Sequence, residues 1–318
     1  MVGVVLDDKL AKYSFSNHPF GSQRYFAFKE ALEKSNLLSY LKIIESRQAT
    51  DEELLLFHTQ DFIEFVKRKE KEGGYFDNGD TPAIKGIYEA TKLIVGTTLN
   101  CIDTIIKHNI KVFSPIGGLH HAYKNKASGF CVFNDICVGI NYLRKKYGIK
   151  KILYFDIDAH HGDGVYYSYE EDPYVYIVDF HQVGIFPGTG SFFERGIGEA
   201  VGTKLNIELE AGATDRHFFE RFNEVVDFVE DLKVDFIIMQ AGCDCMLGDP
   251  ITFLNLTEKV HRETAKFLIK LANRKTNCRL LILGGGGYLL SNIKKAWVAI
   301  MEELPENDES KETTKEIF

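Results

Sequence analysis

Residues 151–164 read KILYFDIDAHHGDG, an apolar run that ends abruptly in acidic and histidine side chains. A short run rich in β-branched and aromatic residues is typical of a buried strand in a parallel sheet. Residues two apart in an extended chain point to the same side, so Asp156, Asp158 and His160 can converge on one volume. Carboxylates in a poorly solvated place repel each other, and a divalent cation held with an imidazole offsets that cost. The stretch therefore predicts a metal site where a strand ends.

Comparable apolar runs recur along the chain and predict further strands over residues 111–115, 175–180, 234–240 and 279–283. Helical patterns lie between them, over about residues 81–105, 134–148 and 217–232 and from residue 257 onward. We expect the first of these helices to begin at Thr81 and Pro82, which supply a cap and a first-turn proline. Strands that alternate with helices predict an α/β fold with one doubly wound domain and a mainly parallel sheet.

The carboxyl terminus differs in composition from the rest of the chain. Residues 302–318 hold seven acidic residues and two lysines, with almost no apolar spacing. Because no repeat or linker divides the 318 residues, we expect one catalytic domain over residues 1–301 and a flexible acidic tail over residues 302–318.

Composition and charge restrict the function. With 45% hydrophobic and 26% charged residues, the chain has the composition of a soluble globular protein. Its formal net charge of -8 disfavours nucleic acid as a partner, because surfaces that bind phosphates are strongly basic. No apolar run approaches the ~20 residues of a spanning helix, so we expect no membrane partner. The six cysteines form no CxxC pair, which favours a reducing, cytoplasmic location.

A third metal ligand is expected after the strand predicted at residues 234–240. In open α/β sheets, ligands bind beyond the carboxyl ends of the strands. This strand is followed by Cys243, Asp244 and Cys245, each of which could bind a metal ion. By alternation the two cysteines point away from the side of Asp244, so we assign Asp244 to the metal and the cysteines to packing. Oxygen and nitrogen donors fit Zn²⁺, and they also fit Fe²⁺ or Co²⁺.

Two histidines are expected beside this metal site. His120 and His121 follow the strand predicted at residues 111–115 after two glycines, so they lie at a neighbouring strand end. An imidazole in such a place needs a carboxylate that fixes its tautomer, and Asp156 and Asp163 are available for this.

The last predicted strand ends in four glycines and Tyr288. Glycines allow close backbone approach, and the phenol could donate a hydrogen bond to a developing oxyanion. The run lacks the Lys-Ser/Thr of a P-loop, and no GxGxxG opens a helix after the first strand, so nucleotide binding is disfavoured.

Together and in this order, the motifs GGLHHA, ASGFCVFND, DIDAHHGDG, FPGTG and GGGGY resemble class I histone deacetylases and their prokaryotic relatives. The similarity extends from His18 to Trp297. It implies the arginase/deacetylase fold, in which helices flank a parallel sheet of eight strands. It also implies metal-dependent hydrolysis of an Nε-acyl-lysine amide in a protein or peptide, which releases acetate and free lysine.

The resemblance further implies roles for particular residues. One zinc ion would be held by Asp158, His160 and Asp244. Catalytic roles are implied for His120, His121, Asp156, Asp163 and Tyr288. Substrate contacts are implied for Asp80, Gly129, Phe130, Phe186, Ile251 and Gly286. Arg24 would line a channel that releases acetate. A potassium ion is implied near Asp156, Asp158, His160, Asp179 and Phe180.

In the implied mechanism, His121 takes a proton from water, Tyr288 stabilises the oxyanion, and His120 contributes charge and orientation. The potassium site is expected to be altered, because this chain has Asp179 where many relatives have serine or a similar neutral residue.

Three other functions are alternatives to this interpretation. An arginase-like ureohydrolase needs a second metal ion, and Gly162 stands where that ion would need an aspartate, so this activity is disfavoured. A small-molecule amidohydrolase acting on an acetylpolyamine or an acetoin-related compound stays open, although GGL before the histidine pair differs from the proline-containing sequence of acetylpolyamine enzymes. A non-catalytic acyl-lysine binding module is disfavoured by the complete set of metal-binding and catalytic residues.

Overall fold

Eight strands form one sheet in the computed structural model, which describes residues 2–16 and 18–305. The strands are β1 (Val2–Val5), β2 (Leu41–Ile44), β3 (Lys111–Ser114), β4 (Ile152–Asp156), β5 (Val175–Gln182), β6 (Lys204–Leu209), β7 (Phe236–Gln240) and β8 (Leu280–Leu283). They lie in the order β2-β1-β3-β8-β7-β4-β5-β6, and every neighbouring pair is parallel. The predicted α/β domain with a parallel sheet of about eight strands is therefore confirmed.

Helices cover both faces of this sheet. They are α1 (Gln23–Lys34), α2 (Asp51–Leu54), α3 (Gln60–Glu72), α4 (Ile87–His108), α5 (Asp135–Tyr147), α6 (Asp163–Tyr169), α7 (Asp215–Glu230), α8 (Glu258–Lys275) and α9 (Leu290–Glu303). Short 3₁₀ turns occur at Asp8–Lys12, Leu38–Tyr40 and Gly198–Ala200. Buried side chains of α2 to α6 form a core on one face, and those of α7 to α9, with most of α1, form a core on the other.

Strand β4 shows how the sequence creates this arrangement. Ile152 and Tyr154 belong to one core, whereas Leu153 and Phe155 belong to the other, because successive side chains of a strand point to opposite faces. A strand covered on both faces must be apolar throughout, which explains its continuous hydrophobic run. Polar side chains can begin only where the strand ends, and here they begin at Asp156.

Three strands were not predicted, namely β1, β2 and β6. The strands β1 and β2 have only four residues each, and β2 is half exposed at the edge of the sheet. The opposite edge strand, β6, contains Lys204, Asn206 and Glu208. The strands were predicted from continuous apolar runs, and β6 has none, because its polar residues alternate with apolar ones.

The predicted start of the first helix was wrong. Helix α4 begins at Ile87 after Gly86, and not at Thr81 and Pro82. Thr81 cannot cap a helix because its hydroxyl donates a 2.5 Å hydrogen bond to Asp77 and accepts one of 3.1 Å from the Phe130 backbone.

The other predicted helices are present as α5, α7 and α8. In α5, the side chain of Asn134 caps the first turn by accepting a 2.9 Å hydrogen bond from the Cys137 backbone. Gly148 ends this helix at φ 66°, a conformation that favours glycine.

Glu302 and Glu303, which the predicted tail includes, belong to α9, and both pair with Arg262. The rest of that predicted segment, from residue 306 to residue 318, lies outside the described residues. All six cysteines lie within the described ranges and are free thiols. In those same ranges, none of the helices combines the length and the apolar character needed to cross a membrane.

Candidate active site

Four loops meet at the carboxyl edge of the sheet. Strands β3, β8, β7 and β4 are consecutive neighbours, so the segments that follow them start side by side. These segments cover residues 115–122, 284–289, 241–249 and 157–162. They carry most of the polar residues that the sequence singled out, which is why residues far apart in the chain share one site.

A buried cluster of three possible metal ligands lies at this edge. Nδ1 of His160 is 3.0 Å from Asp158 Oδ1 and 3.0 Å from Asp244 Oδ2. The ligand atoms offered by these residues lie within 4.8 Å of one another, and all three side chains are buried. Two buried carboxylates beside one imidazole are a donor set that suits a divalent cation, which would neutralise their charges.

The ligand side chains are held from behind by other groups. Asp158 Oδ2 accepts hydrogen bonds from Gln240 Nε2 at 2.8 Å and from the Gly286 backbone at 2.9 Å. Asp244 Oδ1 accepts one of 2.9 Å from the Ala159 backbone. One oxygen of each carboxylate is therefore fixed by the protein, while the other faces His160. Such contacts orient metal ligands.

The cysteines beside Asp244 pack away from this cluster. Both are buried, and their sulfurs lie 3.7 Å and 3.5 Å from the backbone oxygens of Gly286 and Gly242. Asp156 also turns away from it, because Asp156 Oδ2 accepts hydrogen bonds from His120 and from the hydroxyl of Tyr154.

Two histidine–carboxylate pairs stand beside the metal cluster. Nδ1 of His120 donates to Asp156 and Nδ1 of His121 donates to Asp163, each at 2.7 Å. The two imidazole rings are 4.0 Å apart, and the ring of His121 is 6.0 Å from that of His160. Since Nδ1 of each imidazole is bound to a carboxylate, Nε2 is the nitrogen left for chemistry.

The two histidines differ in charge. Burial alone would lower the pKa of His120, but the charges of Asp156, Asp158 and Asp179 and the hydrogen bond to Asp156 together outweigh it, and the pKa rises to about 9. Burial and the neighbouring His120 lower the pKa of His121 to about 4, although Asp163 opposes this. At neutral pH the site therefore contains a cationic His120 and a neutral His121 that can accept a proton.

A cavity of about 530 Å³ leads from the surface to His121 and His160. It is lined near its mouth by Asp80 and deeper by Gly129, Phe130, Phe186, Ile251, His121, His160 and Tyr288. The ring of Phe186 stands edge-on to His121 at 5.0 Å, and Phe130 stands edge-on to Tyr288 at 5.8 Å. Gly129 lies so close that a Cβ there would be 2.5 Å from His121 Cδ2. The walls are thus mainly apolar and aromatic, and the floor is polar.

Tyr288 lies at the inner end of the cavity. Its backbone N–H donates to Asp249 at 2.8 Å, which fixes the segment that follows the four glycines. Burial raises the pKa of the phenol, so it stays protonated and able to donate. Gly286 does not line the large cavity. It lines a smaller one of about 20 Å³ next to Asp158 and His120.

The rim of the cavity is shaped by a turn around Asp77. One oxygen of Asp77 accepts hydrogen bonds from the backbone of Gly79, Asp80 and Thr81, at 3.2, 2.8 and 2.8 Å. The turn presents Asp80, whose side chain is exposed at the mouth. A carboxylate there can accept hydrogen bonds from a substrate backbone or attract a cationic group.

Arg24 is buried against the glycines of the site. Its Nε donates to Gly287 at 2.7 Å and its Nη2 donates to Gly285 at 2.5 Å. Nη1 has no hydrogen-bond partner among the described residues, and the guanidinium lies 4.1 Å from the ring of Phe20. The acetate channel implied for Arg24 stays a prediction.

Two residues of the implied potassium site, Asp158 and His160, belong to the metal cluster itself, whereas Asp156 and Asp179 lie on β4 and β5. Asp179 faces Asp156 across β4 and β5, and its oxygens are bound by His181 Nδ1 and the Gly162 backbone, each at 2.9 Å. The ring of Phe180 instead packs in the core of the opposite face. Potassium binding at this place stays a prediction.

Two polar side chains contact the site although the sequence did not indicate them. Gln240, the last residue of β7, holds Asp158, and a polar residue at the end of a buried strand could have indicated this. Tyr123 donates a 2.8 Å hydrogen bond to Asp163, and no pattern in the sequence marks this tyrosine.

The parallel sheet and the buried Asp-His-Asp cluster at its carboxyl edge are consistent with the arginase/deacetylase fold, whose members are metal-dependent hydrolases. A family model described as "Histone deacetylase domain" matches residues 18–304. The chain therefore belongs to the histone deacetylase family and is a metal-dependent deacetylase.

Among the relatives is "Acetoin utilization protein AcuC" of Bacillus subtilis (strain 168), which is 36% identical over 303 residues, 90% of this chain and 77% of that protein. The proteins of the same name in Staphylococcus aureus (strain MSSA476) and Staphylococcus xylosus are 36% and 33% identical, over 92% and 95% of this chain and 79% and 83% of their own lengths.

Proposed function

We propose that this chain hydrolyses the amide of an Nε-acyl-lysine side chain in a protein or peptide and releases the acid and free lysine. The observation that carries the proposal is the cavity itself, whose aromatic walls lead to His121, His160 and Tyr288. A lysine side chain is a flexible apolar stem with a polar end. Phe130 and Phe186 can exclude water from such a stem while the amide reaches the polar floor.

We assign Asp158, His160 and Asp244 as the ligands of one divalent metal ion, of which Zn²⁺ is the typical ion of the family. Their two carboxylate oxygens and one imidazole nitrogen fit its chemistry. When bound, the ion polarises the amide carbonyl and lowers the pKa of a water molecule.

The residues of the chain then supply the proton transfers. Neutral His121 accepts a proton from water at Nε2, while Asp163 holds Nδ1 and so fixes the orientation of the ring. The hydroxyl of Tyr288 donates to the carbonyl oxygen as that oxygen gains negative charge. The proton held by His121 is then passed to the departing lysine nitrogen. His120 stays cationic and adds positive charge beside the reacting amide.

A small acetylated amine is the second candidate substrate. The relatives named above are acetoin utilization proteins, and the exposed Asp80 at the mouth suits a cationic amine as well as a peptide. An acetylpolyamine has the same apolar stem and amide as acetyl-lysine, but it has no peptide backbone.

The test is an assay of purified protein with acyl-lysine peptides and with N-acetylated polyamines, each with and without a chelator and after reloading with Zn²⁺, Fe²⁺ or Co²⁺. We expect chelator-sensitive release of acetate from peptides, and Asp244→Ala should lose both the activity and the bound ion. Faster turnover of the polyamines would favour the second candidate. Binding of acyl peptides without turnover under any metal would instead favour a non-catalytic module.

A further inference from the structure

Tyr123 closes a chain of hydrogen bonds that ends at His121. Its hydroxyl donates to Asp163 Oδ2 at 2.8 Å, and His121 Nδ1 donates to Asp163 Oδ1 at 2.7 Å. The two oxygens of one buried carboxylate are thus shared between the proposed base and a tyrosine two residues further along the chain. Asp163 itself comes from the first turn of α6, so the three residues join two loops of the site.

The tyrosine is held firmly enough to act as a fixed donor. Its backbone N–H donates to the Lys126 carbonyl at 2.9 Å, and the ammonium of Lys126 lies 4.1 Å from the centre of its ring. The preceding carbonyl, that of Ala122, accepts a 2.8 Å hydrogen bond from the Asn134 side chain. Both polar groups of the peptide unit that joins Ala122 to Tyr123 are therefore hydrogen-bonded, which fixes the backbone in front of the ring.

A second donor changes what Asp163 does to His121. With His121 as its only partner, the carboxylate could rotate about its Cβ–Cγ bond and carry the imidazole with it. The hydroxyl of Tyr123 on the other oxygen fixes the plane of the carboxylate and satisfies an atom that would otherwise be buried without a partner. It also withdraws charge from Asp163, which makes the carboxylate a weaker acceptor for the proton on His121 Nδ1.

The other histidine pair has a related but different arrangement. The hydroxyl of Tyr154 donates to Oδ2 of Asp156, the same oxygen that His120 uses. Tyr154 lies within the core of the sheet, whereas Tyr123 is half-buried at the edge of the site. Removal of the Tyr123 hydroxyl therefore perturbs one carboxylate and leaves the core intact.

We infer that Tyr123 is a positioning residue that acts on His121 through Asp163, keeping the imidazole aimed into the cavity. The inference rests on the proposed function, in which His121 is the base. It assigns Tyr123 no contact with substrate, so its loss should change the rate of the chemical step and leave substrate binding unchanged.

The test is Tyr123→Phe, which removes the hydroxyl and keeps the ring. We expect kcat to fall about tenfold, which corresponds to losing part of the free energy of one hydrogen bond to a charged group. KM should stay within about twofold of the wild-type value. In an Asp163→Ala background, which removes both carboxylate oxygens, Tyr123→Phe should change kcat by less than about twofold, because the route from the hydroxyl to His121 is already broken. Tyr147→Phe is the matched control, since that half-buried tyrosine donates a 2.7 Å hydrogen bond to Asp103 on helix α4.

A proton NMR measurement gives a readout that does not depend on turnover. The downfield resonance of the His121 Nδ1 proton, identified by its loss in His121→Ala, should move further downfield in Tyr123→Phe and stay in place in Tyr147→Phe. An unchanged kcat in Tyr123→Phe, or an equal loss in the Asp163→Ala background, overturns the inference. If the wild-type protein turns over no acyl substrate, the proposed function fails. In that case the His121 Nδ1 proton resonance is the remaining test. If its chemical shift is the same in Tyr123→Phe as in the wild type, Tyr123 does not act on His121.

Discussion

Replacement of Gly286 by alanine should expel the metal ion without unfolding the chain. A Cβ built at this position would lie 2.3 Å from Asp244 Oδ2 and 2.7 Å from Asp158 Oδ2. Real Cβ atoms essentially never approach another atom below 3.0 Å, so the carboxylates of Asp158 and Asp244 must both shift, and with them the oxygens that face His160. Metal–ligand distances tolerate about 0.2 Å, so we expect the affinity for Zn²⁺ to fall by at least about 100-fold.

Gly286 has no left-handed φ that alanine would strain, so the effect is expected to come from the added methyl group. Affinity is measured by competition with a chromophoric chelator, and bound metal by elemental analysis after dialysis. The matched control is Gly139→Ala in α5, where the nearest atom to the added carbon is the flexible end of Ile102 at 3.1 Å. A Gly286→Ala protein that folds and binds Zn²⁺ as tightly as the wild type would refute the reasoning.

Three further outcomes follow from the site and its surroundings. His121→Ala and Tyr288→Phe should each lower kcat by at least about 100-fold, the scale of losing a general base or an oxyanion donor, and near-normal turnover in either metal-loaded variant would contradict its role. The pH profile of kcat/KM should fall on the acid side near pH 4, where His121 becomes protonated, and on the alkaline side near pH 9, where His120 loses its charge. Thermal stability should decrease as the pH falls from about 6.5 to about 3, because burial lowers the pKa of His58 to about 3 and the unfolded chain takes up the proton first. His58→Phe should remove this part of the acid sensitivity, and a melting curve with the same pH dependence as the wild type would count against it.

The centre of the sheet could be predicted from the sequence because its strands are buried on both faces. The runs that became β4 and β7 are apolar throughout, and each ends in polar residues. The register pairs Asp156 with Gln240, so the segments that carry Asp158 and Asp244 start at the same level. The sequence indicated the types of metal ligand and the alternation of strands and helices. These two features were enough to predict that the loops after β4 and β7 share one site.

The edges of the sheet could not be predicted in the same way. Lys204 opens β6 and is fully buried, which composition alone would exclude. Its ammonium donates to the carbonyls of Val175 at 2.6 Å and Asp172 at 3.0 Å. These acceptors belong to the turn before β5 and to the first residue of β5, which lie about 30 residues before Lys204 in the sequence. The residues around Lys204 therefore do not indicate that its ammonium has hydrogen-bond partners.

Contacts that depend on the orientation of one side chain could not be predicted from the sequence either. Tyr123 and Gln240 touch the site through one hydroxyl and one amide. The start of α4 was misjudged for a similar reason, because the hydroxyl of Thr81 is bound to Asp77 and so is not available as a helix cap. In each case the outcome depends on the hydrogen bonds of one side chain, which no local pattern of residues reports.

The position of β8 has a consequence for synthesis of the chain. Among the described residues this strand is the last along the chain, yet it lies in the middle of the sheet between β3 and β7. While a nascent polypeptide stops short of residue 280, the segments β2-β1-β3 and β7-β4-β5-β6 have no ladder between them in the described residues, and both present open edges. Such edges invite aggregation, and β8 closes them when it joins the two halves and brings Tyr288 to the site.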